Sequence, residues 1–177
     1  MSVYWVDIIG DIVEDVRGST DKPAALTSEQ PYYLYGTFNY IANYLNEMDK
    51  VPASKAKQYP LIALFMPFTE TNGESMLVKS QVDLTLGFIT SSNQNYTNPD
   101  RYNNSFRELL YPLYEIFLQK LIDSKRFLEI DTGLNEHEKT DLLFWGASNK
   151  NILNDKIDAI EVRNIELKLK LSNINNC

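Results

Sequence analysis

The sequence predicts a single α+β domain with a small, mostly antiparallel sheet packed by helices. Three observations predict it. Apolar residues recur at helical spacing in three separate stretches, they alternate at period two in two others, and the order reads α, α, β, β, α, irregular segment, β. At 177 residues the chain buries roughly 70% of its unfolded surface, so residues 1–177 can form one core without staples.

The first element is a helix over 3–17. Val6, Ile9, Val13 and Val16 share one face, and Asp7, Asp11, Glu14 and Asp15 fall mostly opposite. Arg17 and Gly18 end it, and the polar stretch 18–31 is a loop, so residues 1–30 make an N-terminal helix and loop. A second helix is expected over 32–49, because Leu34, Phe38, Ile41, Leu45 and Met48 step by four, three, four and three. Tyr32, Tyr33, Tyr35, Tyr40 and Tyr44 spread around its remaining surface. Residues 51–60 break it, with prolines at both ends.

The run LIALFMPF at 61–68 is short, apolar and bounded by turn signals, which reads as a strand buried on both faces and ended by Pro67. Residues 70–75 are turn-rich. Beyond them Val82, Leu84, Leu86 and Phe88 alternate with Gln81, Asp83, Thr85 and Gly87, so an antiparallel hairpin is expected, longer if Met76 to Lys79 join it. Asn98 as N-cap and Pro99 at the first helical position open a third helix running to about Lys125. Tyr102, Phe106, Leu109, Leu113, Phe117 and Leu121 line it, and Pro112 should bend it. Residues 127–158 read as an irregular inserted segment anchored by Leu142, Phe144 and Trp145. The last element is a strand over 158–172. Its apolar phase is set by Ile160 and Val162, then reverses for Ile165, Leu167, Leu169 and Leu171, which places a β-bulge at Asn164. Helices are expected on one face of the sheet.

Charge limits the function. The net charge is −7, with 6 basic and 11 acidic side chains in residues 1–90 and 11 and 13 in residues 91–177. Neither half is basic, whereas proteins that grip nucleic-acid phosphates normally are. A protein that encloses DNA without gripping it stays compatible. Cys177 is the only cysteine, so no intrachain disulfide forms. The acidic N-terminal stretch lacks the basic region of a secretory signal, and no apolar run approaches the ~20 residues of a membrane span. The expectation is an intracellular protein with no membrane partner. The 17 Asn suit turns and an AT-rich genome, and the 11 Tyr suit an interface-forming protein.

Few residues are candidates for chemistry. His137 is the only histidine, and a Ser-His-Asp or Cys-His mechanism would need it. It lies in the polar stretch NEHEKTD and reads as a surface residue. With one His and one Cys, a zinc site has too few ligands. Asp7, Asp11, Glu14 and Asp15 read as a solvated helix face rather than a Mg²⁺ site. The sharpest enzymatic candidate is Glu166-Leu-Lys168, the acid-x-Lys pair that restriction-type nucleases carry on a strand, with Asp158 or Asp83 as the earlier acid. Any half-exposed strand reading E-L-K-L-K gives the same pattern, with Lys blunting the strand. Gly-rich phosphate loops are absent. The sequence therefore assigns no catalytic, cofactor-binding or metal-binding residue, and no cofactor.

The stretch from PYYLYGTFNYIANYLNEM through YPLIALFMPFTE, VDLTLGFITSS and NPDRYNNSFRELLYPLYE to DAIEVRNIELKLKL resembles small structural proteins of tailed phages, notably the crAss-like phages of Bacteroidetes. Its element order resembles the α-β-β-α-β core of tail-terminator and head–tail connector proteins, here with an extra N-terminal helix. The resemblance implies a non-enzymatic virion protein, made in the bacterial host cytoplasm and placed in the phage neck or tail. It would form a homo-oligomeric ring that joins portal or adaptor to tail proteins. Such a ring encloses DNA without binding it specifically. The alternative expectation is a metal-dependent nuclease of a phage or mobile element using Glu166 and Lys168.

Overall fold

The computed structural model describes residues 4–50, 58–72, 78–128, 137–143 and 156–170. The fold is α+β, a mixed seven-stranded sheet with helices on both faces. Helix α1 (Trp5–Arg17) buries Trp5, Ile9, Ile12, Val13 and Val16 and leaves Asp7, Asp11, Glu14 and Asp15 exposed.

The expected helix over 32–49 is two elements. Tyr32–Gly36 is strand β1, and helix α2 spans Phe38–Asp49. The aromatic run Tyr32, Tyr33, Tyr35 favours a strand. Gly36 then turns the chain at a positive φ of 149°, where a Cβ would come within 2.7 Å of the Tyr40 ring. Thr37 caps α2 by accepting the Tyr40 N–H. Leu34 imitated the start of the helical stripe because its side chain packs against the same cluster as Ile41 and Leu45.

Strand β2 (Leu61–Phe65) lies between β1, parallel, and β4 (Val78–Ser91), antiparallel. Ile62 and Leu64 point to one core, Leu61 and Ala63 to the other, which is the burial on both faces that the apolar run implies. Strand β3 (Glu70–Asn72) completes the hairpin with β4, Thr71 opposite Gln81. Met76 lies outside the described residues.

Helix α3 has three consecutive parts: Asn98–Arg101, a π-helical stretch Tyr102–Leu110, and Tyr111–Asp123. Its cap is Thr97, not the expected Asn98, because the Thr97 hydroxyl forms a capping box with Asp100 and leaves Asn98 as the first helical residue. Pro112 has no N–H and its ring crowds the carbonyl four residues back. The wider winding before it, in which the Tyr111 N–H reaches Phe106 O, accommodates the proline. It also moves Leu110 into the core and leaves Tyr102 exposed.

The stretch expected to be irregular holds two strands, β5 (Phe127–Leu128) and β6 (Glu138–Leu143), both antiparallel to β7 (Ile157–Lys170). Phe144 and Trp145 lie outside the described residues. Along β7 the register passes from Leu84 opposite Ile165 to Leu86 opposite Val162, so Thr85 faces two residues, Arg163 and Asn164. This is the bulge the phase change predicts, with Asn164 left-handed at φ 59°.

The strand order is β1-β2-β4-β7-β5, with β3 on β4 and β6 on β7. Helices α1 and α3 cover one face over a core that includes Phe88, Phe117, Val162 and Leu167. Helix α2 lies on the opposite face, over Leu61, Ala63, Ile89, Ile157 and Ala159. This corrects the expectation of helices on one face. It follows from β1: a strand inserted before α2 delivers the helix to the other side. Beyond α2 the second face carries polar side chains from β4 and β7.

Candidate functional site

The open half of the second sheet face brings together three of the four residues singled out for nuclease chemistry. Asp83 on β4 lies directly opposite Glu166 on β7, so both side chains leave the same face. Lys168 is two residues along from Glu166, and its Nζ is 3.0 Å from Glu166 Oε1. Asp158 is on the other face. It is fully buried and paired with Arg101, whose guanidinium also donates to Ile157 O at 3.0 Å. As the earlier acid of such a site, Asp158 is therefore replaced by Asp83. Asp83 is exposed, and Glu166 and Lys168 are half-buried. Among the described residues no group of three or more His, Cys, Asp or Glu is placed to hold a metal ion.

Next to them, the same face has a depression of about 280 Å³ between α2 and the sheet, lined by Phe38, Phe65, Met66, Pro67, Thr85, Glu161 and Arg163. Gly87 lets the Phe65 ring approach the strand, since a Cβ there would meet the ring at 2.8 Å. Arg163 and Glu161 pair across its rim at 2.7 Å.

Exposed aromatic side chains continue along α2. Tyr40 and Tyr44, 54% and 41% exposed, stack with ring centroids 6.5 Å apart on its outer surface. One turn apart on a helix, they form a fixed apolar ridge with polar tips.

His137 is not an isolated surface histidine. Its Nε2 shares a hydrogen bond with the Tyr114 hydroxyl, and the residue stands at the head of β6, which α3 holds down. Lys139 Nζ lies 4.4 Å from the Tyr111 ring centre, and Tyr111 donates its hydroxyl to Asp141. Burial first, then the Asp141 carboxylate, pushes the Tyr111 phenol well above its ordinary pKa. These contacts fasten a strand to a helix. Cys177 lies outside the described residues. Of the α1 carboxylates, Asp11 pairs with Arg126 at 2.8 Å and Glu14 with Arg17, so the acidic helix face is partly neutralised.

Taken together, fold and surface define an α+β protein that, among the described residues, has one closed sheet face and one face half open, bordered by exposed tyrosines. No protein-family model and no curated protein sequence matches the chain. No helix among the described residues is long and apolar enough to cross a membrane.

Proposed function

We propose that this chain is the structural subunit of a ring in the neck or tail of a tailed phage, joining portal or adaptor to tail around the DNA channel. The observation that carries this reading is the Tyr40–Tyr44 ridge beside the half-open sheet face. Amphipathic aromatic side chains in a fixed arrangement are what protein interfaces use. A heterologous contact between this ridge and another part of a second copy closes into a ring when its rotation permits. With α1, β1, β3, β5 and β6 set aside, the order α2-β2-β4-α3-β7 supports a comparison with the α-β-β-α-β core of the proteins that the sequence resembles. The net charge of −7 suits a channel wall past which DNA slides, because it offers phosphates few ion pairs. The test is the mass of the purified protein by light scattering, with negative-stain images of the same fraction. Annular particles are expected. A monomer at every concentration, with and without candidate neck proteins, overturns the reading.

A second reading is favoured by one observation, the placement of Asp83 opposite Glu166 and beside Lys168. Two carboxylates on neighbouring strands can share a divalent cation, and the lysine can assist a water. Under this reading the protein cleaves DNA with Mg²⁺, and Glu166→Ala or Lys168→Ala abolishes cleavage without altering oligomeric mass. No cleavage by the wild-type chain overturns it.

A further inference from the structure

A second surface pocket lies on the side of the sheet that α1 covers, the opposite side from the strand face described above. It has a volume of about 330 Å³ and is lined by Tyr4, Trp5, Val6, Asp7, Tyr35, Phe68 and Glu70. Four of these seven side chains are aromatic and two are carboxylates. Among the described residues no basic side chain pairs with Asp7 or Glu70.

We infer that this pocket binds an organic cation, the ammonium or guanidinium end of an extended side chain or small molecule. Aromatic faces attract cations through the ring quadrupole, and neighbouring carboxylates add a net negative potential without needing a dehydrated metal. A divalent ion would want several oxygen ligands close together, and this pocket supplies mostly ring carbon. An anion would face two carboxylates. A neutral apolar ligand would leave both carboxylates desolvated and unmatched.

The walls are held in place before any ligand arrives. The Trp5 indole N–H donates to Ser80 Oγ at 3.1 Å, and Ser80 in turn donates to Glu70 Oε1, so one buried hydroxyl orients both a ring and a carboxylate. Trp5 also stacks on Phe127, centroids 6.1 Å apart. Tyr33 donates to Val6 O at 2.9 Å and packs against Tyr35, fixing the α1 terminus relative to β1. Asp7 lies in the first turn of α1, where its negative charge offsets the positive end of the helix dipole. Rigid walls lower the ordering cost of binding. Tyr4 and Tyr35 remain 64% and 48% exposed, so an arriving cation has two open aromatic surfaces to cover. This inference stands apart from the ring reading.

The probe is n-butylguanidinium, with n-butylurea as the neutral molecule of matching shape, titrated by calorimetry into the full-length protein. In a Trp145→Phe background the fluorescence of Trp5 reports the location. Saturable binding of n-butylguanidinium with a change in Trp5 emission is expected, and about ten-fold or weaker binding of n-butylurea. The pair Asp7→Asn and Glu70→Gln, both surface changes that keep hydrogen-bonding atoms, should weaken n-butylguanidinium by about ten-fold or more. Tyr35→Leu should weaken it as well. Equal binding of the two probes, or binding indifferent to the Asp7 and Glu70 changes, overturns the inference. Sedimentation of the same samples separates the sources. Dissociation of an assembled form by n-butylguanidinium places the natural cation on a second copy of this chain. Binding with unchanged mass places it on a different molecule.

Discussion

Arg101 and Asp158 are the only ionised side chains among the described residues with no exposure at all, and they tie the first turn of α3 to the first residues of β7. A buried pair contributes little net stability relative to a well-packed apolar pair, but half of one is costly. Asp158→Ala should therefore lower unfolding free energy by about 3–5 kcal/mol, while Arg101→Met combined with Asp158→Leu should recover most of that loss. Urea unfolding with an unchanged slope reads both. A single change costing under about 1 kcal/mol would mean that water reaches the pair. Asp100, beside it in sequence, behaves differently. The Thr97 side chain and then its backbone N–H hold the Asp100 carboxyl below its usual pKa. A depressed folded-state pKa means that the contribution is present above the unfolded value and disappears as pH falls through the folded one. The urea midpoint of Asp100→Ala should lie below that of the wild type at neutral pH and converge on it in acid. A gap that persists well below both pKa values would show that the cap acts without its charge.

At the scale of elements, the bulge in β7 decides which side chains enter the core. Without the extra residue Ile165, Leu167 and Leu169 would face the polar side. Asn164 holds it with a left-handed backbone that Asn tolerates and β-branched residues do not. Asn164→Val should cost about 1–2 kcal/mol and Asn164→Gly about 0.5 or less in unfolding free energy. Equal costs would place the strain elsewhere. The bulge was legible in the sequence because a phase change in a period-two pattern has few other causes. Strand β1 was not, because Leu34 packs with the α2 cluster and so counts as part of a helical stripe. Strand β6 was not, since its residues are mostly exposed and its pairing to β7 is a backbone matter with no apolar rhythm. Pro112 was legible as a disturbance, but not as a wider winding, because a missing N–H can be met by a kink or by a π-helical stretch. The same limit applies to the site. Glu166 and Lys168 could be placed on one face from spacing alone, whereas choosing Asp83 over Asp158 needed the register across the bulge. The aromatic–acidic pocket draws Tyr4 to Asp7, Tyr35, Phe68 and Glu70 from stretches far apart in the chain, and no local pattern announces it.

For the whole molecule, the asymmetry of the sheet is the feature with consequences. Among the described residues, one face is closed by α1 and α3, and the other is covered only where α2 crosses it. A ridge of exposed tyrosines on that single helix costs solvation in a monomer and gains most when a second surface covers it. If the ridge is the ring contact, replacing Tyr40 and Tyr44 with arginine should abolish the assembled form and leave a monomer near 20.4 kDa. The urea midpoint should stay close to the wild-type monomer value, because both side chains point away from the α2 core of Ile41 and Leu45. Light scattering across a concentration series measures the first effect and urea unfolding the second. Assembly that survives the double change would move the contact off α2, and the half-open sheet face around Phe38 and Phe65 would then be the surface to alter. A lowered midpoint without loss of assembly would show that the two rings serve the fold of one subunit rather than the contact between two.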